Sequence, residues 1–404
     1  MNPFNTDAFL LSTDTAWRLY RDVAAPLPII DYHNHLDARA LAADAGFSDV
    51  TALWIASDPY KHRAMRILGV PEAQITGDAD ARTKFNRWAE SVPQLIGNPL
   101  YDWTALELLR FFGIDEPLSP ASADRTWAAC NEKLRSPEFT ARGLLTRANV
   151  EVVCTSDNLD DDLSTHSALA SSGFGTRVVP SLRDAARVDA ARFDAFARLG
   201  CPIADHAVSD PEQLPALAEV AAEYARRGWT MQLHLGALRE TSSRLRRLAG
   251  PAGGYAGIAP GFDLVAVARF LDALEQQGSL PRTILFPLNP VDYAATATLT
   301  GSFAEAGVPG KVQLGPAWWW NDHRLGMRQH LDALASYGAL STFIGMTTDS
   351  RSFLSTVRHE YFRRILCEWI GEQVEGGRFP NDEALLANLL RKLCYQNAKD
   401  FLKL

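Results

Sequence analysis

The chain reads as an α/β protein built on a distorted (β/α)8 barrel of TIM type, and three observations carry that reading. Eight short apolar, β-branched runs recur along 404 residues. Segments of helical character lie between them, and strands alternating with helices imply a parallel sheet, because parallel neighbours need a crossover. Each run also ends on polar side chains, as at the C-terminal face of a barrel, where strand ends from all round the sheet build one site.

Taken in order, the first run is LPIIDYHNH (27–35), which ends on His33 and His35. Residues i and i+2 of a strand face the same side, so the two imidazoles stand together. The other runs are NVEVVCTSD (149–157) ending on Asp157, TRVVPSLR (176–183) on Arg183, and CPIADHAV (201–208) with Asp205 and His206. WTMQLHLG (229–236) carries His234, RTILFPLN (282–289) ends on Asn289, KVQLGPAWW (311–319) on Trp318 and Trp319, and FIGMTTDSR (343–351) on Asp349 and Arg351. Residues 36–148 interrupt the rhythm. A structureless loop that long is improbable in a compact protein, and the segment holds helical signals such as TALWIA, DARTKFNRWAESV, WTALELLRFFG and SADRTWAACNEKL. The chain is therefore expected to form a single barrel domain over 1–404, with 36–148 as a helical insertion over the barrel mouth that helps exclude water. PEQLPALAEVAAEYARRG and MRQHLDALASYGAL read as crossover helices. The C-terminal FPNDEALLANLLRKLCYQNAKDFLKL reads as a last helix, capped by Asn381 or Asp382, with Leu385, Leu386, Leu389, Leu390 and Leu393 as its apolar stripe.

Composition narrows the function. A net charge of -8 offers no basic balance for neutralising phosphates, which argues against nucleic acid as partner. A small anionic substrate needs only a few local arginines. Five scattered cysteines, Cys130, Cys154, Cys201, Cys367 and Cys394, form no CxxC pair and read as reduced thiols. The opening residues lack a basic n-region and a long apolar h-region, and no run of eighteen apolar residues occurs. A cytoplasmic location without membrane contact is the expectation, and homo-oligomerisation is expected of a barrel this size.

The eighth strand of a closed barrel lies beside the first, so His33, His35 and Asp349 can meet around one ion. Two imidazoles and a carboxylate suit zinc, with manganese or iron as alternatives, and leave a position open for substrate or water. His234 is a candidate fourth ligand or a substrate contact. No lysine or glutamate stands at the middle strand ends to build a second centre, so one divalent ion is expected. Arg183, Arg351 and Arg358 point to an anionic substrate, because a guanidinium fork matches a carboxylate bidentately. Trp318, and His62 within DPYKHRAMR (58–66), complete the candidate substrate contacts. Tyr60 in that stretch can carry a proton if neighbouring cations lower its pKa.

LPIIDYHNHLD, YKHRAMR, NPLYDWTALELLRFFGI, CNEKLRSPEFTARGLL, NVEVVCTSD, MQLHLGALR, VPGKVQLGPAWWWND and MTTDSRSFLSTVRHEYFRRILC together resemble the uronate isomerases, also called glucuronate isomerases, a divergent branch of the amidohydrolase superfamily. The resemblance runs through nearly the whole chain. It implies aldose–ketose interconversion, D-glucuronate with D-fructuronate and D-galacturonate with D-tagaturonate, on a distorted barrel with one metal, typically zinc. It also implies metal ligation by His33, His35 and Asp349, substrate contacts from Arg183 and Arg351, and proton transfer involving Tyr60. The chain departs from the family pattern at Pro59, where histidine usually precedes the tyrosine, at His62, commonly tryptophan, and at LRETSSR (238–244), usually LRNNNTR; the Arg183–Cys201 connection is also short. Two other readings stand beside the isomerase: a metal-dependent hydrolase of a sugar-acid ester or lactone, and a non-catalytic sugar-acid binding protein.

Overall fold

A computed structural model describes residue 4 and residues 6–404. Seven of the eight predicted strands are present. They are β1 (Ile29–Asp31), β2 and β3 (Val150–Cys154, Asp157–Asn158), β4 and β5 (Arg177–Val179, Leu182–Arg183), β6 (Ile203–Val208) and β7 (Thr230–Leu235). After a short hairpin, β8 (Ala237–Leu238) with β9 (Gly257–Ile258), come β10 (Arg282–Pro287) and β11 (Val312–Leu314).

The main strands pair in parallel, β1-β2-β4 in one sheet and β11-β10-β7-β6-β5-β3 in another. The two join where single segments are interrupted: β2 runs on into β3 and β4 into β5, and Thr155 N–H to Val179 O (3.1 Å) and Asp157 N–H to Ser181 O (2.9 Å) carry the ladder across the breaks. Pro180 stands in one of these breaks, where it donates no ladder bond. The parallel strands are buried along most of their length, β7 throughout, as a sheet covered on both faces requires.

The eighth expected strand, 343–351, is not a strand. Gly345 and Asp349 have positive φ (95° and 49°), which breaks the extended run, and side chains replace the ladder. Gln313 Oε1 accepts from Ile344 N–H at 2.9 Å on the β11 side, while Tyr32 Oη donates to Gly345 O (2.9 Å) and His33 N–H to Thr347 Oγ1 (2.8 Å) on the β1 side.

Residues 38–147 are helical, as Ala38–Ala43, Val50–Trp54, Pro59–Ile67, Ala81–Ser91, Pro99–Phe112, Ala123–Lys133 and Ala141–Arg147. Asp37, Asp49, Asp58, Asp80, Asn98 and Thr140 each cap the following helix by accepting a backbone N–H. Their apolar faces share one core with β1, β2 and the long helix Val357–Glu375, through Trp54, Phe85, Trp88 and Leu108. The expected crossover helices form at Ala218–Arg227 and Arg324–Tyr337. The last helix is interrupted by a wider turn at Lys392–Gln396, with Asp382 as its cap and Leu386, Leu390 and Leu393 buried, while Leu385 is exposed. All five cysteines are free thiols. Among the described residues no helix is long and apolar enough to cross a membrane.

Candidate active site

The two histidines of the first segment sit just past β1, where Asn34 N–H still reaches Cys154 O (3.3 Å) on the neighbouring strand. The 347–350 segment folds back onto them. Asp349 N–H donates to His33 O (3.0 Å) and His35 N–H to Ser350 O (2.8 Å). Buried Asp31 holds the join by accepting from Thr347 Oγ1 (2.8 Å), Thr348 N–H (2.8 Å) and Thr348 Oγ1 (2.6 Å). The left-handed turn at Asp349, tolerable for an aspartate, aims its carboxylate at both imidazoles. Its Oδ1 lies 3.4 Å from His33 Nε2 and 3.0 Å from His35 Nε2.

One donor atom from each of His33, His35 and Asp349 falls within 4.8 Å of the others, and the same holds for His33, Asp205 and His234. This donor set suits a divalent ion, and the buried His33 Nδ1 has no hydrogen-bond partner. Burial works to lower the His33 pKa, but Asp205 and Asp349 outweigh it and leave it raised. Burial works to raise the Asp349 carboxyl, and the two histidines hold it well below the usual carboxylate range. Burial, with His33 adding, pushes His234 well down, so it is neutral and able to ligate.

These residues open into a cleft of about 930 Å³, counting the open solvent at its mouth. Arg183, Arg239, Arg351, Asp205, Tyr60 and Trp318–Trp320 share the lining. Three arginines thus face two carboxylates, Asp205 and Asp349, which favours an anionic ligand. Arg183 is engaged: its Nη1 lies 3.3 Å from Ser156 Oγ and 3.3 Å from His35 Nδ1, and its Nε 3.3 Å from Asp184 Oδ2. Arg351 is exposed at the mouth. Trp318 is buried, donating to Phe286 O (3.1 Å), with its ring edge-on to His234 at 4.8 Å.

Tyr60 stands on the helix Pro59–Ile67, whose cap Asp58 accepts from Tyr60 N–H (2.9 Å) and Lys61 N–H (3.2 Å). Its Oη is buried and unpartnered. Its pKa is not lowered as expected. Burial raises it, Arg358 pulls the other way, and Asp349, Asp322 and Asp58 add to the rise, so the hydroxyl stays protonated.

Two expected substrate contacts lie outside the cleft lining. His62 is buried with Nε2 2.8 Å from Ile55 O. Arg358 is buried behind Tyr60, paired with Asp322 Oδ2 (2.6 Å) and donating to Thr348 O (3.0 Å), its guanidinium 5.2 Å from the Tyr60 ring. Both lie one layer behind the surface that a ligand meets, a depth that spacing along the chain does not encode. Asp157 turns to Thr155 Oγ1 (2.7 Å) and His166 (3.6 Å), and Asn289 caps the turn after β10 by accepting from Val291 N–H (3.1 Å).

Strand alternation separates Asp205, which faces the cleft, from His206, which meets Tyr224 Oη at 3.0 Å on the other side. That signal was present in the sequence, but Asp205 escaped selection as a ligand. Arg239 ends the MQLHLGALR stretch that resembles the family yet was not counted among the substrate contacts, and the 251–256 loop carried no signal.

The glucuronate isomerase family profile matches residues 1–216 and 212–402. Among curated relatives, the uronate isomerase of Actinobacillus succinogenes is 41% identical over 467 aligned positions covering all of both chains, and that of Mannheimia succiniciproducens is 40% identical with the same coverage. The alignment exceeds this chain's 404 residues, so the relatives carry segments it lacks. The crystal structure of uronate isomerase from Thermotoga maritima superposes with a TM-score of 0.89 at 28% identity, covering 99% of this chain and 100% of that one. Glucuronate isomerase from Caulobacter crescentus gives 0.87 at 24% identity over 98% and 96%, a likeness of fold. With a full-length match at this identity and the HxH and Asp349 segments meeting in one cleft, the chain belongs to the uronate (glucuronate) isomerase family.

Proposed function

We propose that this chain interconverts D-glucuronate with D-fructuronate and D-galacturonate with D-tagaturonate, by proton transfer through a cis-enediol. The observation that carries the reading is the convergence of His33, His35 and Asp349 in a cleft where arginines outnumber carboxylates. His33, His35 and Asp349 would hold one divalent ion, zinc by the donor set, with His234 as the adjacent neutral imidazole. Bound there, such an ion would supply Lewis acidity.

The residues divide the proton work by their environments. Both imidazole contacts of Asp349 run to Oδ1, which leaves Oδ2 to take the proton from C2. Tyr60 begins protonated and gives its proton to O1. In the second half Asp349 returns its proton to C1 while the O2 hydroxyl restores Tyr60. Arg358, 5.2 Å from the Tyr60 ring, steadies the charge that Tyr60 carries in between. Arg351 and Arg183 supply anion contacts at the mouth and floor.

The closed barrel and its lid belong to the same reading. The 343–351 segment reaches Gln313 beside β11 and His33 beside β1, which supports closure of the sheet. Arg63 donates to Gly254 O and Ala256 O, and Arg66 to Gly253 O, which supports a lid helix latched to the 251–256 loop.

The test is incubation of the metal-loaded protein with each hexuronate in D2O, followed by proton NMR. Ketose signals at equilibrium with the aldose establish the isomerase, and deuterium at C1 supports the enediol route. No ketose from either acid sinks the assignment, and a product heavier by one water from an ester or lactone points to hydrolysis.

A further inference from the structure

A second concavity lies away from the cleft and shares none of its lining residues. It sits at the other end of β1: Ile29 borders it, while His33, just past the strand, borders the cleft. Its volume is about 750 Å³, counting the open solvent at its mouth. The ends of the helices Pro99–Phe112 and Ala141–Arg147 meet there with the chain entering β1 and β2 and the start of Val357–Glu375.

Among the described residues, three arginines line it, Arg110, Arg147 and Arg363, against one carboxylate, Glu360. Glu360 is already shared. It accepts from Arg110 Nε and Nη2, each at 2.8 Å, and from Arg364 Nε, buried outside the lining, at 2.9 Å. Arg363 is buried and has no ion pair among the described residues; its donors go to the neutral carbonyls of Leu27 (2.7 Å), Pro28 (2.7 Å) and Cys394 (3.4 Å). Burial lowers its pKa against the opposing pull of Cys394, Tyr20, Cys367 and Glu360, so its surroundings disfavour the charge it carries. A shielded guanidinium lacking a counter-ion is costly, and a bound anion would reduce that cost. Arg147 is exposed at the rim. Its carboxylate neighbour Glu138 stands 3.9 Å away and is largely exposed, a pairing that contributes little. Asn149 beside it is held at φ 55°, and its amide reaches Pro26 O only at 3.5 Å, so that donor can turn to a ligand. Helix ends attract cations, and Arg110 and Arg147 do stand in last turns. That field does not account for Arg363, which lies inside the helix Val357–Glu375.

We propose that this concavity is a second anion site, taking a small oxyanion of two negative charges, either free phosphate or the phosphate group of a phosphomonoester. Arg147 and Asn149 contact it at the rim, and Arg110 and Arg363 supply the field within. Three guanidiniums against one carboxylate leave a surplus that a dianion matches. Leu27, Ile29 and Phe111 line the remainder, which offers an apolar wall to the body of an ester. The site stands independently of the hexuronate reading.

The experiment titrates the full-length, metal-loaded protein by calorimetry with inorganic phosphate, and separately with phenyl phosphate, at about pH 8, where both are dianions, and at an ionic strength fixed with chloride. Wild type is compared with Arg147→Glu and Arg147→Met. Because the cleft arginines also attract phosphate, wild type should show two components. Arg147→Glu should lose one of them, Arg147→Met should weaken the same one about 10-fold, and turnover should be unchanged in both, since Arg147 lies outside the cleft. Phenyl phosphate binding more tightly than phosphate in that component assigns the site to a phosphomonoester; equal or weaker binding assigns it to free phosphate. Wild-type crystals soaked in selenate locate the ion by anomalous scattering without any substitution, and a peak between Arg110, Arg147 and Arg363 is expected. A peak confined to the His33 cleft, or phosphate isotherms identical in wild type and Arg147→Glu, overturns the proposal. A protein inactive on both hexuronates leaves both binding readouts intact.

Discussion

Asp31→Asn tests whether the geometry of the proposed metal-binding group is set by the join between β1 and the 347–350 segment. The buried carboxylate accepts three hydrogen bonds, from Thr347 Oγ1 at 2.8 Å, Thr348 N–H at 2.8 Å and Thr348 Oγ1 at 2.6 Å. Hydrogen bonds to a charged acceptor stabilise by about 1.5–3 kcal/mol against roughly 0.5–1.5 for neutral pairs. Making the acceptor neutral therefore removes about 1 kcal/mol per bond, partly offset because a buried charge is also removed. The net expectation is a loss of about 1–3 kcal/mol. Because Asp31 lies two residues before His33, and Thr348 one residue before Asp349, the loosened join also spreads the donor atoms. Zinc affinity, measured by chelator competition, should fall ~10-fold or more, as for other partners that orient metal ligands. Urea unfolding of the metal-free protein isolates the stability effect. If Asp31→Asn keeps both its unfolding midpoint and its zinc affinity within twofold of wild type, the reasoning is wrong.

Three further predictions follow from other positions. Arg358→Met leaves the buried Asp322 carboxylate, now 2.6 Å from its partner, unpaired, and should cost about 3–5 kcal/mol; Asp322→Asn in the same chain should recover a large part, and an additive double-mutant cycle would refute the pairing. Gly254→Ala places a Cβ 2.3 Å from Pro59 O at φ 81°, so the contact between the 251–256 loop and the helix Pro59–Ile67 must shift; a stability loss of at least ~1–2 kcal/mol and a raised KM are expected, and wild-type values for both would show that this contact does not matter. Asp102 is half-buried, with the Tyr361 hydroxyl (3.2 Å) as its one side-chain partner among the described residues, and burial, opposed by that bond, raises its pKa to about 6. An unfolded aspartate titrates near 3.9, so the folded state binds the proton more tightly; this group's contribution is favourable at low pH and falls, by up to about 3 kcal/mol, as pH rises from about 4 through 6. Asp102→Asn should remove that part of the decline and be more stable than wild type at pH 8, and equal stabilities there would count against a raised pKa.

The sequence by itself determined where the strands lie and which side chains end them. Period-two alternation and β-branched runs are local properties, so seven strands and the helical nature of 38–147 were legible. The meeting of HxH with Asp349 was also legible, because the barrel expected from the sequence sets its first and last segments side by side whatever lies between them. The eighth strand was misread because its conformation is set from 316 residues away: Asp31 draws the hydroxyls of Thr347 and Thr348 inward, and the chain turns left-handed at Asp349. Depth was the second thing hidden. His62 and Arg358 carry the same chemistry as cleft residues, yet packing sets one against Ile55 O and the other against Asp322, behind the wall. The Tyr60 hydroxyl illustrates the same point, since burial outweighs the neighbouring cation and the two cannot be ranked from composition.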